Sequence, residues 1–510
     1  MNRTTKPVLR FRNFIQILLV LTFSGFPART FIGAHSTLSP TRPIESTDET
    51  TTGFGGAGYA GSMDSPGPLQ REIIWQGIQA QVALLKNQSR LAPTTIEKVA
   101  LRWPLRPAHG LADNSYYIIS HFVDHDPAFP NHLLDYHGGM RTYDSASGYN
   151  HAGTDIVLWP FAWDKMNENQ VEVVAAAPGV IVTKTDGNYD RNCALNENRE
   201  WNAVYIRHAD GSIAWYGHLK SGSLTPKNVG ESVAEGEYLG VVGSSGNSDV
   251  PHLHFELYDE TGNLTDPYSD EGSSSWWVEQ MPYYDPAINR LATMRAKPVS
   301  PACQQPETTN IEDSFMPGTR IYFLTYYRDV QNTQESIGVI YRPDGTVFET
   351  WTQSFATIDD PYYPAYYYYW WWNFPTDAPI GTWRFEVNHM NRTYSTYFNI
   401  GDPTAVTVTS PNGGEQWDQG LGQTIRWNDN LGGDVTIKLY RNGDYHSTLV
   451  NATASIGSYL WFPAVDLPVG SGYTIRVIDT ANPSVYAESN GFALVATALT
   501  NHLYLPQMQR

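Results

Sequence analysis

The sequence predicts a mainly β protein, in which a compact antiparallel β-sheet domain is followed by two β-sandwiches. Three observations support that class. Aromatic residues make up 13% of the chain and charged residues 17%, beside 42 glycines and 33 prolines. That balance suits β-rich domains better than disordered or coiled-coil chains. From residue 171 onward, short apolar runs are punctuated by Pro178-Gly179, Asp210-Gly211, Asp344-Gly345 and Asn442-Gly443. Turn dipeptides between apolar runs mark hairpins. With 510 residues the chain has room for about three domains.

The same counts exclude some functions. Lys+Arg number 33 against 52 Asp+Glu, a net charge of −19, so no nucleic-acid partner is expected, because phosphate binding needs a basic surface. Two cysteines in the whole chain rule out a disulfide scaffold. A single bridge between Cys193 and Cys303 is the most they can form.

Taken in order, the chain opens on an address. Lys6, Arg10 and Arg12 precede the apolar run Phe14 to Phe26, and small residues follow at Ala28 and Gly33-Ala34. This is the pattern of a secretory signal, read over 1–36, with cleavage between Ala28 and His35. An uncleaved anchor is the alternative. No other stretch is long and apolar enough to span a membrane, so the expected location is secreted, extracellular or in the cell envelope. Residues 37–70 are rich in Ser, Thr, Gly and Pro and read as a flexible linker. Ile74, Ile78, Val82 and Leu85 then recur at a helical period.

The first β domain is placed at 71–296, with its core at about 100–270. Its strands are expected at Val171 to Ala177, Val180 to Val182, Ala203 to Ile206, Ser212 to Tyr216, Tyr238 to Val242 and His252 to Leu257. A first sandwich is expected at 304–402, a second at 404–497, and a tail at 498–510.

The chemistry concentrates in the first domain. His252 and His254 lie two apart on an expected strand, so both imidazoles point to one face. His151 and Asp155 add an imidazole and a carboxylate, with Gly153 between them allowing the backbone to bend. Zinc accepts both ligand types, and a catalytic zinc keeps three protein ligands and one open position. Each pattern alone is weak. Together, in this order, and with His218 in Trp215-Tyr216-Gly217-His218-Leu219 between them, they are hard to obtain by chance.

These residues resemble the lysostaphin-like (LytM-type) zinc endopeptidases: HxGxD, then Tyr-Gly-His-Leu, then the Gly240 to Gly246 lead-in and Pro251-His252-Leu253-His254-Phe255-Glu256. Ala176 to Val180 and Ile206 to Gly211 match as well. The resemblance implies a zinc metalloendopeptidase that hydrolyses peptide bonds in bacterial peptidoglycan with a metal-activated water. It implies one Zn2+ per chain on His151, Asp155 and His254, with His218 and His252 as the two catalytic histidines. Which of the two is the general base stays open. Two departures stand out. Ser248-Asp249-Val250 replaces the usual Ser-Thr-Gly before Pro-His-Leu-His, and Asp186 to Trp201 reads as an inserted polar loop, a plain surface loop before it is a cleft wall.

Other candidates are weighed against plainer readings. His208 precedes a hairpin and reads as a turn residue. His121, His125, His132 and His137, near Asp124, Asp126 and Asp135, read as a wall of the cleft rather than a second metal site. The aromatic run Tyr366 to Trp372 could offer rings to a glycan. The plainer reading has one face in the sandwich core and the other at a domain interface. Ser410 to Trp417, with Ile425-Arg426-Trp427, is similar to the Ig-like module of the fungal cell-wall-synthesis and Ser/Thr-rich GPI-anchored families. Glycan or surface contacts through the C-terminal β domains are therefore carried as an expectation. Two rival functions remain: a secreted zinc protease acting on proteins, and a catalytically silent cell-wall-binding or activator protein on the same fold.

Overall fold

The computed structural model describes residues 52–59 and 66–496, apart from short gaps at 109–110, 112, 146–147, 197–198, 271–273, 300–306, 402–405, 430 and 432. The expected signal peptide, Cys303 and the tail lie outside the described residues. Cys193 is disulfide-bonded. No helix among the described residues is long and apolar enough to cross a membrane.

The first domain is built on an eight-stranded sheet. Its order is Tyr117–His121, Thr154–Leu158, His252–Tyr258, Ile213–Gly217, Ala203–His208, Gly179–Thr185 and Ser232–Val233, with Leu264–Thr265 paired to the outer half of His252–Tyr258. Every pair is antiparallel. Alternation along the strands gives the sheet two faces. One face, with Ile156, Leu158, Val204, Ile206, Ala214, Tyr216, Leu253, Phe255 and Leu257, packs on a three-stranded sheet through Val171, Val173 and Leu239. The other face carries Asp155, His252, His254 and Glu256.

That second face is partly roofed by the helix Pro68–Asn87. Pro68 starts it, where the missing N–H costs nothing. Ile78 and Leu85 are fully buried against Val182, Ala203, Tyr205, Ile213, Trp215 and Tyr258. Trp75 adds ring contacts to Trp215 at 6.3 Å and Tyr258 at 4.9 Å.

Two sandwiches follow. The first pairs a four-stranded sheet, in the order Thr52–Tyr59, Tyr362–Asn373, Arg320–Gln331 and Ala287–Met294, with a five-stranded sheet that includes Glu335–Tyr341 and Gly381–His389. The second stacks Val406–Ser410, Gln423–Asp429 and Ser458–Trp461 on a sheet centred on Asp434–Arg441 and Gly470–Asp479.

Two expectations are corrected here, and the plainer reading of the aromatic run holds. The stretch 37–70 is not all linker: Thr52–Tyr59 is an edge strand, in register from Thr52↔Trp372 to Tyr59↔Ala365. Ala287–Met294, placed in the first domain, instead hydrogen-bonds to Arg320–Gln331 and buries Ile288 and Leu291 in the sandwich core. The aromatic run offers no open strip. Tyr366, Tyr368, Trp370 and Trp372 fill the sandwich core. Tyr369 and Trp371 face the opposite way and pack in one cluster with Phe161 of the first domain. Those rings are at most 9% exposed and cannot stack on a glycan.

Candidate active site

The register of three neighbouring strands assembles the site. His254 lies opposite Asp155 on one side and Gly217 on the other, and His121 lies opposite Asp155 from the edge strand. Residues opposite one another share a face. The sheet therefore lines up His121, Asp155 and His254 in one row, with His218 just beyond the end of its strand. His218 takes a left-handed backbone at φ 62°, which turns its ring back over the row. His151 enters from the loop before Thr154–Leu158. Gly153 makes that entry fit, since a Cβ there would sit 2.7 Å from the His254 ring.

All five motif residues are fully buried. His254 Nδ1 is 2.7 Å from Asp155 Oδ1, and its Nε2 is 2.7 Å from Glu256 Oε1. His151 Nε2 is 3.1 Å from Asp155 Oδ2, while its Nδ1 donates to the Phe122 carbonyl at 2.6 Å. Two groups of side chains each bring their ligand atoms within 4.8 Å of one another: His151, Asp155 and His254, and His218, His252 and His254.

The first group fits a metal for a specific reason. A carbonyl only accepts, so His151 carries its proton on Nδ1 and turns the Nε2 lone pair toward Asp155. Asp155 Oδ2 has no hydrogen-bond partner. Two acceptors 3.1 Å apart in a buried site call for a cation or a shared proton between them. Two imidazoles and a carboxylate are a zinc-type donor set. Burial opposes the ionised form of Asp155, yet His151, His121 and His254 together hold its carboxyl well below the usual range. Burial likewise opposes charge on His254, but the bonds to Asp155 and Glu256 raise it to about 9.

His218 and His252 differ from these. His218 Nδ1 donates to the Ser245 carbonyl at 2.6 Å, and His252 Nδ1 donates to the Val250 carbonyl at 2.8 Å. Each therefore presents a basic Nε2, and neither Nε2 has a hydrogen-bond partner. Their ring centroids are 4.3 Å apart. Burial pushes His252 down to about 4 against the charge of Asp155. Burial, then His252 and His254, push His218 well below its ordinary value. Both imidazoles are neutral at neutral pH. Within the departure Ser248-Asp249-Val250, the Val250 carbonyl accepts from His252 Nδ1 at 2.8 Å and Ser248 Oγ lies 3.4 Å from the same nitrogen.

Residues 150–267 match peptidase family M23. Residues 410–494 match the Kre9/KNH-like N-terminal Ig-like domain. The chain is 42% identical over 85 residues to the DD-carboxypeptidase/endopeptidase Mpg of Neisseria meningitidis serogroup B, covering 16% of each chain. It is 43% identical over 56 residues to the cell division protein DipM of Caulobacter vibrioides, covering 11% of this chain and 9% of DipM. The chain thus spans under a fifth of the curated relatives it matches. Among solved structures, the catalytic domain of a mutant of the prophage-encoded M23 protein EnpA from Enterococcus faecalis matches at 21% identity and TM-score 0.20, over 32% of this chain and 97% of that one.

Other sequence candidates fall elsewhere in the first domain. His208 Nδ1 bonds the Pro178 carbonyl at 2.9 Å in its turn. His125 pairs with Asp266 and His137 with Asp270, while Asp124, Asp135 and Asp144 accept loop N–H groups. No second metal cluster forms among the described residues of that loop. The inserted loop is no plain surface feature. Asn192 donates to the Gly246 carbonyl at 2.9 Å, and the Trp201 ring stands 5.0 Å from His218.

His121, read from the sequence as cleft wall, has its Nδ1 3.6 Å from Asp155 Oδ2; sequence reasoning did not place it in the row of Asp155 and His254. It also missed Arg71, Tyr149 and Tyr258 around Glu256. No motif flags them; only cross-strand register and helix docking bring them in.

Proposed function

We propose that this protein is a secreted zinc endopeptidase that hydrolyses peptide bonds in bacterial peptidoglycan. One observation carries the reading: two adjacent neutral histidines present unpartnered Nε2 atoms beside a buried His–Asp–His donor set. His151 Nε2, Asp155 and His254 Nδ1 would hold the metal. Bound zinc supplies a Lewis acid that polarises a carbonyl and lowers the pKa of water to about 7.

The chain's own groups do the rest. His218 or His252 accepts the proton of the attacking water at Nε2, being neutral and within a short reach of the metal ligands. The same Nε2 then gives that proton to the leaving amine. The other imidazole, also a bare acceptor at Nε2, accepts a hydrogen bond from the same water and orients it for attack. Carbonyl bonds from Ser245 and Val250 hold both rings in the productive tautomer throughout. Trp201 shields His218 from bulk water, which strengthens these interactions.

The family match, with relatives named DD-carboxypeptidase/endopeptidase and cell division protein, supports a wall peptide as substrate. Digestion of purified sacculi by the chain from residue 37 onward, beside its His218→Ala variant, tests this by mass spectrometry of the products. New free amino termini from the wild type only are expected. Zinc-loaded protein that releases nothing from sacculi but cleaves casein would move the substrate to proteins. Release from neither would leave a binding or activator role.

A further inference from the structure

We infer that Arg71, on the N-terminal helix, is a positioning residue of the metal site: it holds Glu256, and Glu256 orients the ligand His254. The inference rests on the metal reading above and goes beyond it, since Arg71 lies well outside the matched segment 150–267.

The chain of contacts is continuous. Glu256 follows His254 by two residues on one strand, so both share the site face. Its Oε1 accepts from His254 Nε2 at 2.7 Å, the nitrogen opposite the one turned to Asp155. Its Oε2 is ion-paired with Arg71 Nη1 and accepts from the Tyr258 hydroxyl at 2.8 Å. Arg71 also donates to the Tyr258 hydroxyl at 2.8 Å and the Tyr149 hydroxyl at 3.2 Å. Glu256 is fully buried and the Arg71 side chain is 18% exposed. A buried carboxylate needs such a partner, because an unpaired charge in that position is costly.

The helix brings Arg71 there by packing, not by chance proximity. Ile78 and Leu85 anchor its later turns, and Trp75 stacks on Trp215 and Tyr258 one turn beyond Arg71. The N-terminal helix thus completes the hydrogen-bonded backing of a metal ligand that sits at the centre of the sheet. Partners of this kind set the tautomer and direction of a ligating imidazole, and losing one typically costs about 10–100-fold in metal affinity.

The test uses the full-length protein and its Arg71→Met and Arg71→Lys variants. Zinc affinity is read by competition with a chromophoric chelator, ligand geometry by the visible spectrum of the cobalt-substituted protein, and stability by melting of the metal-free form. Arg71→Met should bind zinc about 10–100-fold more weakly and shift the cobalt bands, and Arg71→Lys should recover part of both. A purely structural arginine would lower the melting temperature while leaving affinity and spectrum of the folded protein unchanged, and that result overturns the inference. Should Arg71→Met not fold, Arg71→Gln, which keeps a donor toward the two tyrosines, carries the same comparison. A wild type that binds no zinc overturns the metal reading and this inference together; wild-type binding matched by the variants overturns this inference alone.

Discussion

At the residue scale, the five motif side chains divide by whether their free ligand atoms gather at Asp155 or stand unpartnered beside it. His254 Nδ1 bonds Asp155 Oδ1 and His151 Nε2 lies 3.1 Å from Asp155 Oδ2, while His218 and His252 leave Nε2 unpartnered. The division predicts a split in mutant behaviour. Asp155→Ala should lose metal and turnover together, because it removes the one carboxylate of the donor set. His218→Ala should keep metal at one per chain and lose about 10²–10⁴-fold in turnover, the usual range for general acid–base groups. Metal analysis beside a peptide-release assay separates the two, and a His218→Ala protein with near-normal turnover would remove that residue from the mechanism. All five residues are readable from motif spacing. His121 and the loop ending at Trp201 are legible only as possible cleft wall; that they reach Asp155 and His218 depends on strand pairing and loop packing, which leave no local pattern.

At the element scale, the N-terminal segment carries the main surprise. Its Gly and Ser content reads as a linker, yet Thr52–Tyr59 is a strand whose glycines lie against tyrosine rings of the neighbouring strand. A Cβ on Gly58 would sit 2.3 Å from the Tyr363 ring, and Tyr363 is 1% exposed and cannot yield. Gly58→Ala should therefore destabilise the first sandwich by about 1–3 kcal/mol. Gly77, in the middle of the helix Pro68–Asn87, has nothing within 4 Å of the same built atom. Gly77→Ala should stabilise by about 0.5–1 kcal/mol through helix propensity. Denaturant unfolding of the two variants checks the contrast, and equal shifts would mean the strand is not packed as described. The helix itself is legible from its 3.6-residue period, but which sheet face it covers is not.

At the scale of the whole molecule, the first domain and the first sandwich share buried polar contacts. Arg141 pairs with Asp329 at 2.8 Å, both nearly buried, and Asn289 donates to the carbonyls of Tyr117 and Trp159. Breaking one partner of a buried pair costs about 3–5 kcal/mol, so Asp329→Ala should lower the melting temperature of the first domain as well as of the sandwich. Independent melting of the two would contradict this coupling.

Three acidic residues on the segment leading into the first sandwich add a pH dependence. Burial raises Glu307, Glu312 and Asp313 each to about 7, with the charge of Glu312 adding to the shift of Asp313. The unfolded values are about 4. Between about 4 and 7 the folded chain keeps protons that the unfolded chain releases, so stability is fullest below that window and falls as pH rises through it. Melting at pH 5 should exceed melting at pH 8. The triple variant Glu307→Gln, Glu312→Gln, Asp313→Asn should flatten the difference, and an unchanged slope would assign it to other groups.

The amino-acid sequence alone determines that this chain is mainly β, that it carries an M23-type His/Asp constellation and that an Ig-like module closes it. Those features are local: two-residue alternation, turn dipeptides and short motif spacings are written in neighbouring residues. Tertiary structure alone decides that Ala287–Met294 leaves the first domain for the sandwich, that Thr52–Tyr59 pairs with residues some 300 positions away, and that Arg71 stands behind His254. Each of these depends on contacts between segments far apart in the chain. Strand pairing uses backbone groups common to all residues, so the partner of a strand is chosen by which faces can be buried together, and only the folded chain makes that choice.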